Sequence, residues 1–132
     1  MSLLRILVVA PERHAREGLR AILSSDGHEV SVAEDMWSAF ASIFSRPFDL
    51  LLLDDDVRPE RHLTVSVLDL LRVARRYQPA TSGIVISSFE ERVSHYAAEP
   101  AVRAVLEKPV EMPRLRHELE ALKSGSSRLP SP

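Results

Sequence analysis

The chain is 132 residues long, with hydrophobic residues at 45% and charged residues at 27%, which fits a single globular domain with one core. It has no cysteine, which excludes a disulfide framework, a thiolate zinc site and a cysteine nucleophile and suits a reducing, cytoplasmic setting. A formal net charge of −2 argues against a nucleic-acid-binding surface.

The apolar opening Leu3-Leu4-Arg5-Ile6-Leu7-Val8-Val9-Ala10 is too short to span a membrane and is broken by Arg5, so it reads as a buried strand and no membrane partner is expected. Further short apolar runs follow, and the strands are expected at residues 4–9, 28–33, 49–53, 83–87 and 102–106. Ile6-Leu7-Val8-Val9, Leu50-Leu51-Leu52-Leu53 and Ile84-Val85-Ile86 are continuously apolar rather than alternating, as in strands covered on both faces of a parallel sheet.

Helical patterns lie between them. Ala15, Leu19, Ile22 and Leu23 share one face of a first helix that ends before Gly27. Met36, Ala39, Phe40 and Ile43 mark a second, with Asp35 as its N-cap and Pro47 beyond its end. Trp37 is expected to be partly buried, and Phe40 and Phe44 to be core. Val67, Leu71 and Ala74 line a third helix whose outer face carries Arg72, Arg75 and Arg76. A short helix over residues 90–98 stops before Pro100, and Leu115, Leu119 and Leu122 mark a last one opened by Pro113. The alternation predicts an α/β domain over residues 1–123, with a doubly wound five-stranded parallel sheet and helices on both faces. Residues 124–132, rich in serine and proline, are expected to form a flexible tail or linker.

In such a sheet, ligands bind beyond the carboxyl ends of the strands. That edge collects Ala10-Pro11-Glu12, Asp54-Asp55-Asp56, Ser87-Ser88 and Lys108-Pro109. A carboxylate, a hydroxyl and an ammonium group together can handle a phosphoryl group, the carboxylate attacking phosphorus while the others hold its oxygens. His14, His28, His62, His95 and His117 show no metal-ligand spacing.

Over residues 3 to 123 the chain resembles the receiver domain of two-component response regulators. Asp49-Leu50-Leu51-Leu52-Leu53-Asp54 is similar to the strand ending in the phosphoacceptor aspartate, and Ile84-Val85-Ile86-Ser87-Ser88 to the strand ending in the hydroxyl residue. Leu106-Glu107-Lys108-Pro109 is similar to the family's lysine and its usually cis proline. The resemblance implies a flavodoxin-like sheet of order 2-1-3-4-5. It also implies Asp54 as candidate phosphoacceptor, Ser87 and Lys108 as phosphoryl contacts, and a role in phosphorelay signal transduction rather than as an enzyme.

The departures shape the expected mechanism. The metal-binding acidic pair of the family falls on Ala10 and Pro11, and the aromatic switch position on Val105. Valine has one stiff rotatable bond and cannot make an aromatic swing. Mg²⁺ needs oxygen ligands, so no cofactor is expected beyond weak Mg²⁺ binding. Glu12, Asp55 and Asp56 are the acids placed to compensate; their plainer reading is as solvated loop residues. The segment after Asp54, through Val57-Arg58-Pro59-Glu60-Arg61-His62, lacks the family's turn signals and predicts a rebuilt loop. The leading expectation is therefore a pseudo-receiver that acts through protein contacts. Its partner is a histidine kinase or another protein, and a homodimer would form through the last two helices and last strand. The alternative is a receiver phosphorylated on Asp54. A further alternative is a haloacid-dehalogenase-like phosphohydrolase, suggested by Asp54-Asp55-Asp56-Val57 after four leucines.

Overall fold

The computed structural model describes residues 3–57 and 66–125. Strands β1 (Arg5–Val9), β2 (Glu29–Ala33), β3 (Leu50–Asp54), β4 (Ser82–Ser87) and β5 (Val102–Glu107) alternate with helices α1 (Arg13–Ser25), α2 (Met36–Ser45), α3 (Val67–Tyr77), α4 (Glu90–Ala97) and α5 (Met112–Lys123). All strand pairs are parallel, in the order β2-β1-β3-β4-β5. The expected α/β class, sheet order and element sequence are thus those observed. The rebuilt loop after Val57 and the tail beyond Gly125 fall largely outside the described residues.

The continuous apolar runs have the expected cause. Every residue of β3 is buried, and Ile6, Leu7, Val8 and Val9 of β1 are inaccessible to solvent. Because side chains alternate across a sheet, these runs feed two separate cores. Leu7, Val9, Leu51, Leu53 and Val85 pack with Met36, Ala39 and Ile43 of α2 and with Leu70 and Leu71 of α3. Ile6, Val8, Leu50, Leu52 and Ile84 face Leu23 of α1 and Leu115 and Leu119 of α5. The register aligns Val9 with Leu53, Asp54 with Ile86, and Ser87 with Glu107, so the carboxyl tips of the inner strands finish at one edge.

Local sequence fixes the helix ends. Asp35 caps α2, its carboxylate accepting from Ser38 N at 2.8 Å while Ser38 Oγ accepts in return from Asp35 N at 3.4 Å. Ser66 and Asp69 form the same reciprocal pair on α3. After α1 the chain turns through Gly27 at φ 97°, a left-handed conformation that favours glycine, and His28 N returns to Leu23 O at 3.1 Å. Gly83 has a different reason: a Cβ there would sit 2.6 Å from Leu71 Cδ2, so α3 packs directly on the β4 backbone.

Two aromatic expectations are corrected. Trp37 is 63% exposed and Phe44 59% exposed, although both were expected to pack inward. The buried stripe of α2 runs through Met36, Ala39 and Ile43, and at about 100° per residue each aromatic sits one step off it. Phe44 instead stacks on Phe40 at 6.2 Å and meets Tyr77 of α3 edge-on at 5.5 Å.

Candidate functional site

Asp54 ends β3 with its side chain only 5% exposed. Its Oδ1 accepts from Asp56 N at 2.8 Å, and Val57 N returns to Asp54 O at 3.1 Å, which closes a turn over residues 54–57. Lys108 follows β5, anchored by its backbone N on Ser87 O at 3.2 Å and by the cis bond to Pro109. From there the ammonium reaches Asp54 Oδ1 at 2.8 Å and Asp56 Oδ2 at 2.7 Å. Burial alone would lower the Lys108 pKa. Hydrogen bonds to Asp54 and Asp56, with their charges, outweigh it and hold the ammonium above its ordinary value.

Asp55 points elsewhere. Its backbone N extends the ladder to Ile86 O at 3.0 Å, and its side chain is 1% exposed. Oδ2 accepts from Ser87 Oγ at 2.8 Å and Tyr96 OH at 3.0 Å, with Arg92 of α4 at 3.6 Å. Oδ1 is buried with no hydrogen-bond partner among the described residues. Ser87 Oγ also accepts from Phe89 N at 3.0 Å, and the Arg92 guanidinium lies 4.1 Å from the Phe89 ring centre. Burial first, then the Asp55 charge and hydrogen bond, push the Tyr96 phenol up to about 12.

The tip of β1 carries Ala10 and Pro11. Ala10 is buried and its N donates to Ala33 O at 3.0 Å, continuing the sheet. The Arg16 guanidinium donates to the carbonyls of Ala10 at 3.0 Å and Pro11 at 3.3 Å. Glu12, expected among the compensating acids, has another task. It is the N-cap of α1, accepting from His14 N at 3.1 Å and Ala15 N at 2.7 Å. Those two backbone bonds hold its carboxyl below the usual range.

The structure therefore joins Asp54 directly to Lys108, as the sheet order requires, and adds Asp56 to the pair. It gives Ser87 a protein carboxylate, Asp55, as partner. Val105 is half-buried against the core beneath α2, α3 and α4. Tyr96 and Arg92 were not anticipated as site residues; their four-residue spacing places them on one face of α4, which is the signal that could have paired them.

The donor chemistry suits a hard divalent cation in part. Asp54, Asp55 and Asp56 each offer a carboxylate oxygen within 4.8 Å of the others, the ligand type Mg²⁺ takes. Two of those carboxylates already share the Lys108 ammonium, and the third is bound by hydroxyl groups.

The fold matches that of CheY-like response regulator receiver domains. TrrA, a response regulator of Thermotoga maritima solved in complex with Mg²⁺ and BeF, superposes with a TM-score of 0.75 at 25% identity, covering 91% of this chain and 99% of that one. A CheY-like receiver domain from Methanospirillum hungatei gives 0.75 at 23% identity, covering 95% and 100%. NtrX from Brucella abortus, in complex with ATP, gives 0.74 at 29% identity, covering 94% of this chain and 28% of that chain. In sequence, the chain is similar to the sensor histidine kinase AruS of Pseudomonas aeruginosa, 32% identical over 126 residues. That match covers 90% of this chain and 12% of the kinase. No protein-family model matches. No described helix is long and apolar enough to cross a membrane.

Proposed function

We propose that the chain is a receiver-type module of two-component signal transduction whose conformation is set by protein contacts, with Mg²⁺-dependent phosphorylation of Asp54 weak or absent. The observation that carries this reading is the Lys108 ammonium bridging Asp54 and Asp56 at 2.8 and 2.7 Å, where it competes for carboxylates that a metal-dependent phosphoacceptor would turn to a divalent cation. Ala10 and Pro11 supply no side-chain oxygen to offset it, and Arg16 places a guanidinium on their carbonyls. Without a metal clamp, a phosphoryl-transfer site loses most of its charge stabilisation. The role is non-enzymatic in this reading, which phosphatase turnover with Mg²⁺ would overturn.

The partner is a protein, with a histidine kinase the first candidate because receiver domains of two-component systems interact with such kinases. The contact surface is the face of α4, β5 and α5, through which a homodimer would also form in a cytoplasmic setting. A negative net charge disfavours nucleic acid. Intact-mass measurement after incubation with acetyl phosphate and Mg²⁺ tests the reading: the unmodified mass is expected.

A second reading has its own observation. The acidic group Asp54-Asp55-Asp56 offers three carboxylates within 4.8 Å, which favours a receiver phosphorylated on Asp54 with Mg²⁺ held by this triplet. An adduct abolished by Asp54→Asn would establish it.

A further inference from the structure

Three side chains from two elements converge on one buried carboxylate. Asp55 Oδ2 takes the Ser87 hydroxyl from β4 at 2.8 Å, the Tyr96 hydroxyl from α4 at 3.0 Å and the Arg92 guanidinium from α4 at 3.6 Å. The helix so held is short and rests on β4 and β5 chiefly through Tyr96. α4 is eight residues long, has no side-chain hydrogen bond capping its N-terminus, and buries one side chain, Tyr96. Helices this short are marginal without tertiary contacts. The residue before α4, Phe89, is tied to the same network through its N on Ser87 Oγ at 3.0 Å and through its ring beneath Arg92 at 4.1 Å.

We propose that Asp55 is an internal clamp that fixes α4 against the strand tips, so that the position of the α4 surface is set by this carboxylate and released when its hydroxyl partners are lost. The clamp sits one residue from Asp54 in a closed turn, yet its contacts are directed to α4 while those of Asp54 and Asp56 go to Lys108. Adjacent carboxylates thus serve separate networks. The proposal deepens the reading above in one respect only, that α4 belongs to the partner-contacting face. Within that reading, a partner that prefers the released helix would have to break the clamp, and one that prefers the docked helix would be favoured by it.

Hydrogen exchange of the full chain, read by mass spectrometry over the α4 peptides, tests the clamp. Charge-assisted hydrogen bonds of this kind protect local openings by about tenfold or more. Asp55→Ala and Tyr96→Phe are each expected to accelerate α4 exchange by at least about tenfold, leaving β1 and β3 protection unchanged. Tyr96→Phe keeps the buried ring and serves if Asp55→Ala does not fold. Asp54→Asn is expected to leave α4 unaffected. Unchanged α4 exchange in Tyr96→Phe overturns the proposal, as does acceleration spread evenly through the sheet, or an Asp54→Asn effect equal to that of Asp55→Ala. A phosphoryl adduct on the wild-type chain would sink the preceding reading and leave this result untouched.

Discussion

Lys108 reaches past the tip of β4 to place its ammonium 2.8 Å from Asp54 Oδ1, joining two residues 54 positions apart in the chain. The parallel order makes this contact possible: β3 and β5 flank β4, and both residues lie at the carboxyl ends. The contact neutralises an acid that is almost fully buried.

Lys108→Ala is therefore expected to destabilise the fold. Removing one partner from a buried pair costs about 3–5 kcal/mol, and the 28% exposure of the Lys108 side chain reduces that to about 1–3 kcal/mol. Urea unfolding of the variant measures it. The same variant frees Asp54 and Asp56 for a cation and is expected to bind Mn²⁺ at least about tenfold more tightly in a calorimetric titration. A stable variant with unchanged Mn²⁺ affinity would show that the ammonium does not control this edge.

Tyr96 gives a pH signature. Its phenol is pushed up to about 12 from an ordinary 10, so the folded state holds the proton more tightly than the unfolded chain. The stabilisation is complete below about pH 10 and is lost as pH rises through 12. The chain has 2 tyrosines, so Tyr77→Phe leaves Tyr96 as the single source of tyrosinate absorbance. The folded variant is expected to titrate near pH 12, and adding Asp55→Asn is expected to lower the midpoint by removing the adjacent charge.

Gly83→Ala tests the packing of α3 on β4. The added methyl would lie 2.6 Å from Leu71 Cδ2, inside contact distance, so the buried Leu71 side chain, α3 or the β4 backbone must shift. Overpacking of this kind costs about 1–3 kcal/mol, read as a lower urea midpoint. A midpoint equal to wild type would mean that the Leu71 side chain gives way freely.

Much of the fold was legible because its signals are local. Four leucines before Asp54 fit a strand buried on both faces, and Asp35 ahead of the apolar stripe Met36, Ala39 and Ile43 marks a helix start. Trp37 and Phe44 misled because their hydrophobicity was weighed without their phase on α2. The Asp54–Lys108 contact followed from topology. The Asp55 network did not, since its hydroxyl partners lie 32 and 41 residues away and only the tertiary structure turns a loop acid into a buried acceptor. Glu12 read as a free acid near the site, whereas the two backbone N–H groups opening α1 already claim it.

The central proposal is that Asp54 occupies the place of a receiver nucleophile while this edge holds a divalent cation weakly or not at all. Calorimetric titration of the wild-type chain with Mg²⁺, beside a variant carrying Ala10→Asp and Pro11→Asp, tests it most directly. No saturable heat is expected from the wild type, and saturable binding is expected once the two carboxylates are added. Saturable Mg²⁺ binding by the wild-type chain, lost in Asp54→Asn, would contradict the account.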